Sequence, residues 1–180
     1  MADYQQHTHE FAPVFNKDSK ILILGTFPSA ASREHHFYYG HPRNRFWKVL
    51  AYITKEPLPT TIYEKQQLLL SHHIAIWDVI QSCEIIGSSD SSIRNVVPSN
   101  ISNLLSQTSI SAIFGNGNKA CELFKKYISL TLSDFPNLKE IKKLPSTSPA
   151  NASWSLEQLN AFWAEQLSFY LVGENSHFCQ

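Results

Sequence analysis

Four short apolar runs recur along the chain, and each one leads into a polar or glycine-containing turn. They lie at residues 20–27, 74–80, 109–117 and at the start of 139–152. Continuous apolar runs of this length are typical of strands whose two faces are both buried. The pattern therefore predicts four strands of a covered, mainly parallel sheet.

Between these runs the apolar residues follow helical spacing. After Asn44, the residues Phe46, Trp47, Leu50 and Ile53 recur on one helical face. Further helices are predicted at 61–73, from Pro98 through 107, at 118–128 and at 154–171. Proline suits a first helical turn, which is why the third helix is placed to begin at Pro98. The serine-rich segment 82–95 is predicted to be a long polar loop of the kind that carries function.

Strands that alternate with helices predict a three-layer α/β/α sandwich with a central, mainly parallel four-stranded sheet. At 43% hydrophobic residues, one compact domain over 18–170 can bury its own core. Residues 1–17 are expected to be an N-terminal extension, flexible around the histidines of HTHE (7–10), and 171–180 a C-terminal tail.

The composition narrows the class of protein. Fifteen basic residues balance fifteen acidic ones, and neither a membrane-spanning run nor a secretion signal is recognisable. We therefore expect an intracellular protein, cytoplasmic or nucleoid-associated, without membrane partners and acting as a monomer. Cys83, Cys121 and Cys179 are scattered, with two expected in the core and Cys179 in a loose tail. Their spacing predicts neither a disulfide framework nor a metal site, and no cofactor is expected.

Polar segments follow all four predicted strands. Because parallel strands present their carboxyl ends at one edge of a sheet, where ligands bind, these segments should converge on one site. They are GTFPSAAS (25–32), WDVIQSCE (77–84), GNGNKA (115–120) and LPSTSPANA (144–152).

A basic and aromatic cluster follows the first of these segments. Residues 33–48 contain four basic residues, Arg33, Arg43, Arg45 and Lys48, and a single acidic one, Glu34. The overlapping run FYYGHPRNRFWKVL (37–50) adds aromatic rings. Aromatic faces stack on nucleic-acid bases, and cationic side chains bind phosphates. The cluster therefore favours a nucleic-acid ligand.

Each turn also has a purely structural interpretation. GTFPS (25–29) is compatible with a strand-ending turn capped by Ser29. FGNGNKA (114–120) is compatible with a helix capped by Asn116 or Asn118. PSTSPANAS (145–153) fits either a strand-to-helix connection or a loop that approaches a phosphate backbone.

In combination and order, two of these motifs resemble the uracil-DNA glycosylase superfamily. GTFPSAASREHHFYYGHPRNRFWKVL (25–50) looks like its first signature, and LPSTSPANA is similar to its second, the loop that enters the DNA groove. YYGHPRN followed by FW most resembles the hypoxanthine-DNA glycosylase branch. The resemblance extends over about residues 18–168. In one respect the chain departs from the mismatch-specific branch, since Phe27 occupies the place of that branch's water-holding asparagine.

The resemblance implies a monofunctional DNA glycosylase that flips a deaminated base out of double-stranded DNA and hydrolyses its bond to deoxyribose, initiating base excision repair. Hypoxanthine is the expected base. A broader uracil or mismatch activity and a non-catalytic nucleic-acid-binding module remain the alternatives. In the hypoxanthine branch the water-holding role falls on the asparagine after HPR, here Asn44.

The expected site residues fall into three groups. Asn44 and the carboxylate Asp78 are the catalytic candidates, with Asp90 as a second carboxylate; either aspartate could instead cap a turn or be solvated. The base pocket is expected to consist of Gly25, Thr26, Phe27, Pro28, Tyr38, Tyr39 and Asn116. The DNA-binding residues are expected to be Ser29, Arg43, Arg45, Ser146, Ser148, Pro149 and Asn151.

Overall fold

The chain folds into two sheets of different kind, as seen in a computed structural model that describes residues 3–171. The strands are β1 (Gln5–Thr8), β2 (Ile21–Gly25), β3 (Ile74–Asp78), β4 (Ile80–Ile85), β5 (Arg94–Pro98), β6 (Ala112–Asn116) and β7 (Lys142–Leu144). One sheet is parallel with strand order β3-β2-β6-β7, and the other is antiparallel with order β1-β4-β5.

Within residues 3–171, six α-helices connect and cover the strands. They are α1 (Ala30–His35), α2 (Phe46–Thr54), α3 (Ile62–Ser71), α4 (Ile101–Leu105), α5 (Asn118–Leu123) and α6 (Leu156–Leu171). Local chemistry sets several of their starts. Thr61 and Glu64 form a reciprocal capping box at α3, and the Ser29 hydroxyl accepts from the Ser32 N–H at α1.

Strand β2 shows why its residues form one continuous apolar run. Ile21 and Ile23 pack on one face of the parallel sheet, against α2, α3 and α6, while Leu22 and Leu24 pack on the other, against α4 and α5. All four side chains are fully buried. The predicted three-layer sandwich with four parallel strands is thus confirmed.

Two local predictions were wrong. The segment 82–95 is not one long loop, since Ser82–Ile85 belong to β4 and Arg94 opens β5. From Ser82 onward, alternate residues of β4 are buried, which is the pattern of a half-covered strand. Pro98 ends β5 instead of opening α4; Asn100 caps α4 by accepting from the Asn103 N–H.

The N-terminal segment is part of the fold, so the expectation that HTHE is flexible was wrong. Strand β1 pairs antiparallel with β4, and Val14 forms an antiparallel bridge with Ile76. Pairing on both sides of His9 holds this segment against the core. Cys179 and the expected tail beyond Leu171 lie outside the described residues. Within residues 3–171, no helix combines the length and apolarity needed to cross a bilayer.

Candidate active site

The carboxyl ends of β2, β3 and β6 open onto a cavity of about 420 Å³, which we call the first cavity. Gly25, Asp78 and Asn116, the last residues of these three strands, all line it. Its size falls within the usual range for small-molecule sites. The predicted convergence of the loops is therefore present: this wall also contains Thr26, Phe27, Pro28, Ser29, Asn44, Ser146 and Ser148.

Gly25 and Asp78 are register partners in adjacent parallel strands, and they touch. A Cβ atom on Gly25 would lie 2.3 Å from Oδ1 of Asp78. Only a residue without a side chain therefore leaves the carboxylate in place. Glycine is needed here because of this close approach. It is not needed for a turn conformation, because Gly25 lies in a strand and does not have a positive φ angle.

The other oxygen of Asp78 is bound by a residue that sequence inspection missed. Oδ2 lies 2.8 Å from Nε2 of His9, and the two side chains are only 6% and 1% exposed. An ionised buried carboxylate requires such a partner. No periodicity or spacing in the sequence points to His9, because its partner lies 69 residues away.

Four rings form the aromatic wall of the first cavity. Phe27, Tyr38 and Tyr39 were expected there, whereas Phe11 comes from the N-terminal segment. Phe37, the first ring of the aromatic run 37–50, stacks on Trp47 in the core, with ring centroids 6.0 Å apart. Tyr38 is 2% exposed, and its hydroxyl donates to the Ala12 carbonyl. Its ring therefore supports the cavity wall but has no exposed face on which a base could stack.

Tyr39 is a half-buried residue whose hydroxyl lies on its buried side. The ring stacks on Phe46 at 3.8 Å between centroids. The hydroxyl is buried, and within residues 3–171 it has no hydrogen-bond partner. Burial, and then the negative charge of Asp78, raise the pKa of Tyr39 above its usual range. The neighbouring Asn116 amide opposes part of this rise, and the hydroxyl stays protonated behind the cavity surface.

Both candidate carboxamides are held by hydrogen bonds. Oδ1 of Asn44 accepts from the Phe46 N–H at 3.0 Å, which orients the amide at the start of α2. Asn116 pairs with Thr147 through both ends of its amide, donating from Nδ2 to Oγ1 and accepting from the backbone N–H. The second Nδ2 hydrogen of Asn116 has no acceptor in the loop 145–155, and the amide lies beside the Tyr39 hydroxyl.

Arg45 does not point outward to bind phosphate as expected. Its guanidinium donates to four backbone carbonyls of the loop 145–155. The acceptors are the carbonyl oxygens of Ser148 at 2.7 Å, Asn151 at 3.0 Å, Thr147 at 3.3 Å, and Trp154. The fork of Arg45 therefore fixes the shape of this loop against the start of α2.

The other cations of the cluster differ in availability. Arg33 donates to the carbonyls of Pro28 and Gly87, so it braces two loops. Arg43 and Lys48 are exposed, and no side-chain hydrogen bond of Arg43 occurs among the described residues. Pro149 lies within the loop 145–155 but lines neither the first cavity nor the second cavity described below.

Asp90 lies on the turn between β4 and β5, at the rim of the first cavity. Desolvation by the surrounding protein, followed by the charge of Asp78, raises the pKa of Asp90. The two carboxylates therefore differ in environment. Asp78 is buried with a histidine partner, whereas Asp90 lies at the rim, where it is partly desolvated but still in contact with solvent.

A second cavity adjoins the first, and the two share Thr26, Asp90, Asn116, Ser146 and Ser148 in their walls. Lys119 and Lys143 add positive charge to it, and Trp154 adds an aromatic ring. Asn151 also lies here, donating from Nδ2 to the Ser146 carbonyl at 3.0 Å. The two cavities together form a path from the strand edge across the loop 145–155.

Comparison with known proteins agrees with this geometry. The family model of the uracil DNA glycosylase superfamily matches residues 12–166. A protein of Methanosarcina barkeri named hypoxanthine DNA glycosylase is 32% identical over 157 residues, covering 86% of this chain and 94% of its own length. Its namesake in Methanosarcina acetivorans is 34% identical over 147 residues, covering 81% and 89%.

A solved structure shows the same fold. The solution NMR structure of a candidate uracil DNA glycosylase from Methanosarcina acetivorans has a TM-score of 0.69 and 30% identity to this chain. The match covers 86% of this chain and 95% of that one.

Replacing Arg45 by lysine should lower the free energy of unfolding by about 2 kcal/mol or more, because an ammonium cannot satisfy four carbonyls at once. Urea unfolding measures the change. The matched control is Arg43→Lys, which should stay within about 0.5 kcal/mol of the parent protein since Arg43 is exposed. Equal stability of the two variants would contradict the bracing role of Arg45.

Proposed function

The chain belongs to the uracil DNA glycosylase superfamily, and from that premise we propose that it removes hypoxanthine from deoxyinosine in double-stranded DNA. The observation that carries the proposal is the first cavity, in which a buried carboxylate and two oriented amides meet an aromatic wall. The similarity to two proteins named hypoxanthine DNA glycosylase supports this choice of base. The alternative is release of uracil, because the protein in the related NMR structure is described as a candidate uracil DNA glycosylase.

The first cavity suits a flipped purine. Extrusion of a base from the duplex costs a few kcal/mol, and this cost is least for a poorly paired base such as hypoxanthine opposite thymine. Phe11 and Phe27 supply apolar walls. The Asn116 amide, which lines this cavity beside the Tyr39 hydroxyl, supplies donors for the acceptor atoms of the base. Such donors also stabilise the negative charge that develops on the departing base.

The proposed reaction is hydrolysis of the bond between C1′ and the base nitrogen. The bonding electron pair leaves with the base, the sugar acquires oxocarbenium character, and a water oxygen bonds to C1′. Asp78 stabilises the positive sugar and accepts the proton of the water, because a carboxamide has no useful proton affinity. Asn44, held through Oδ1 by the Phe46 N–H, positions that water.

The activity we propose is monofunctional. Strand cleavage through a Schiff base requires an amine nucleophile at the sugar carbon. Among the described residues that line the first cavity there is no lysine. The product is therefore an abasic site in an intact strand. Action as a monomer is part of the proposal, and a substrate in cellular DNA supports action inside the cell.

The proposed path of the damaged strand follows the second cavity. Ser146 and Ser148 accept hydrogen bonds from loop N–H groups through their hydroxyl oxygens, which leaves both O–H hydrogens available for phosphate oxygens. Lys119 and Lys143 supply positive charge for the phosphates in this cavity. Arg45 does not, because its guanidinium is bound to loop carbonyls. Ser29 lines the first cavity, and Arg43 is exposed to solvent.

Under single-turnover conditions, the protein should release hypoxanthine from a duplex with one deoxyinosine, and little uracil from the matched deoxyuridine duplex. Asp78→Asn and Asn44→Ala should each slow release by about 100-fold or more at unchanged DNA affinity, since they act on the chemical step. Alkaline cleavage of abasic sites measures the rate, and fluorescence anisotropy measures the affinity. Rapid uracil release would favour the alternative base. Binding without any release would show a non-catalytic module.

Gly25→Ala should slow hypoxanthine release by about 100-fold, because the added methyl displaces Oδ1 of Asp78 and small displacements of reacting groups are this costly. The same change in an Asp78→Asn background should cost far less, since the carboxylate is already lost. Comparison of the four rates measures the coupling. Equal losses in both backgrounds would show that Gly25 acts independently of Asp78.

Lys119→Gln combined with Lys143→Gln should lower the slope of log affinity against log salt concentration by about 1.5, because two phosphate contacts are lost. The matched control is Lys125→Gln with Lys126→Gln, which changes net charge equally but lies outside both cavities. Anisotropy titrations at several salt concentrations measure both slopes. Equal slopes for the two double variants would place the DNA elsewhere.

A further inference from the structure

His9 reaches the site because the chain is fixed on both sides of it. Its backbone N–H donates to the Gln81 carbonyl at 2.7 Å, which continues the pairing of β1 with β4. Three residues later the Ala12 carbonyl accepts from the Tyr38 hydroxyl, and Val14 then bridges to Ile76. The N-terminal segment is therefore held by the same core that forms the cavity.

The imidazole ring is enclosed by aromatic side chains. Its centroid lies 4.6 Å from that of Phe11, 5.7 Å from Tyr38 and 6.1 Å from Phe27. All three of these rings line the first cavity, whereas His9 does not. His9 thus lies one layer behind the cavity wall, where its orientation is set by packing.

The hydrogen bond of His9 determines which oxygen of Asp78 is free. Nε2 of His9 is hydrogen-bonded to Oδ2 of Asp78. Oδ1 of Asp78 lies over Gly25, which has no side chain to cover it. An ionised Asp78 requires the hydrogen on Nε2. Nδ1 of His9 is buried without a hydrogen-bond partner among the described residues, so the ring is committed to Asp78 alone.

We propose that His9 is a positioning residue, whose Nε2 hydrogen bond fixes the Asp78 carboxylate so that Oδ1 is presented to the water and the sugar. The inference rests on the proposed glycosylase activity and adds to it a residue from the N-terminal segment. His9 acts only through Asp78, and it exchanges no proton with the substrate. A histidine that merely anchored the segment would affect stability and not this coupling.

Three variants of His9 separate these roles. His9→Phe keeps an aromatic ring but has no donor. His9→Gln has a side-chain N–H that extends as far as Nε2, whereas His9→Asn is one methylene shorter and does not reach Asp78. The Gln and Asn variants are matched in polarity, so they decide the question even if His9→Phe fails to fold. Urea unfolding checks that each variant is folded at the assay temperature.

Single-turnover release of hypoxanthine from a deoxyinosine duplex is then measured over a range of protein concentrations. His9→Phe and His9→Asn should lower the plateau rate by about 10- to 100-fold, as expected for a misplaced reacting group, without a change in the half-saturating concentration. His9→Gln should retain most of the rate. In an Asp78→Asn background, His9→Phe, or His9→Asn if the former does not fold, should change the rate less than about twofold, because effects of residues that act as a unit are not additive.

The outcomes separate this inference from the proposed function. A parent protein that releases hypoxanthine, with full rates for His9→Phe and His9→Asn, would overturn the positioning role alone. Equal losses in the parent and in the Asp78→Asn background would also overturn it, because His9 would then act independently of the carboxylate. A parent protein that releases neither hypoxanthine nor uracil would contradict the proposed function, and this inference with it.

Discussion

The parallel register of β2 with β3 is the constraint on which the site depends, because it sets Gly25 directly opposite Asp78. In this register the last residue of one strand must make room for the carboxylate of the other, and only glycine does so. The same sheet brings Asn116 to the edge from the other side of β2. A shift of one residue would turn the Asp78 side chain to the opposite face of the sheet. The cavity is thus a consequence of strand pairing, and its floor is as rigid as the sheet.

The loops are generally the mobile parts of such a site. In this protein they are held by hydrogen bonds from side chains of distant segments. Arg45 binds carbonyls of the loop 145–155, so the start of α2 and the second signature segment move together. Asn116 joins the same loop through Thr147. Across the cavity, His9 ties the N-terminal segment to Asp78. Each tie satisfies buried or partly buried polar groups that would otherwise lack partners.

The sequence predicts well what depends on local periodicity and on strand ends. The apolar run of β2 and the polar residues after it correctly indicate a covered parallel sheet with a site at its carboxyl edge. Partners set by tertiary packing are not predictable in this way. The phosphate role expected of Arg45 was wrong because its acceptors are carbonyls more than 100 residues away. His9 was missed because nothing in HTHE distinguishes a buried histidine from a solvated one. Strand β4 was missed because two consecutive polar residues, Gln81 and Ser82, break its alternation.

The central claim is that the first cavity receives the flipped base, with Asp78 beside the bond that breaks. The most direct test is a crystal structure of the protein bound to a duplex in which one deoxyinosine carries a 2′-fluorine, which slows cleavage by destabilising the oxocarbenium-like sugar. The account predicts hypoxanthine inside the first cavity, with C1′ facing Oδ1 of Asp78 and space for one water between them. A base that remains stacked in the helix, or one bound with C1′ remote from Asp78, would contradict it.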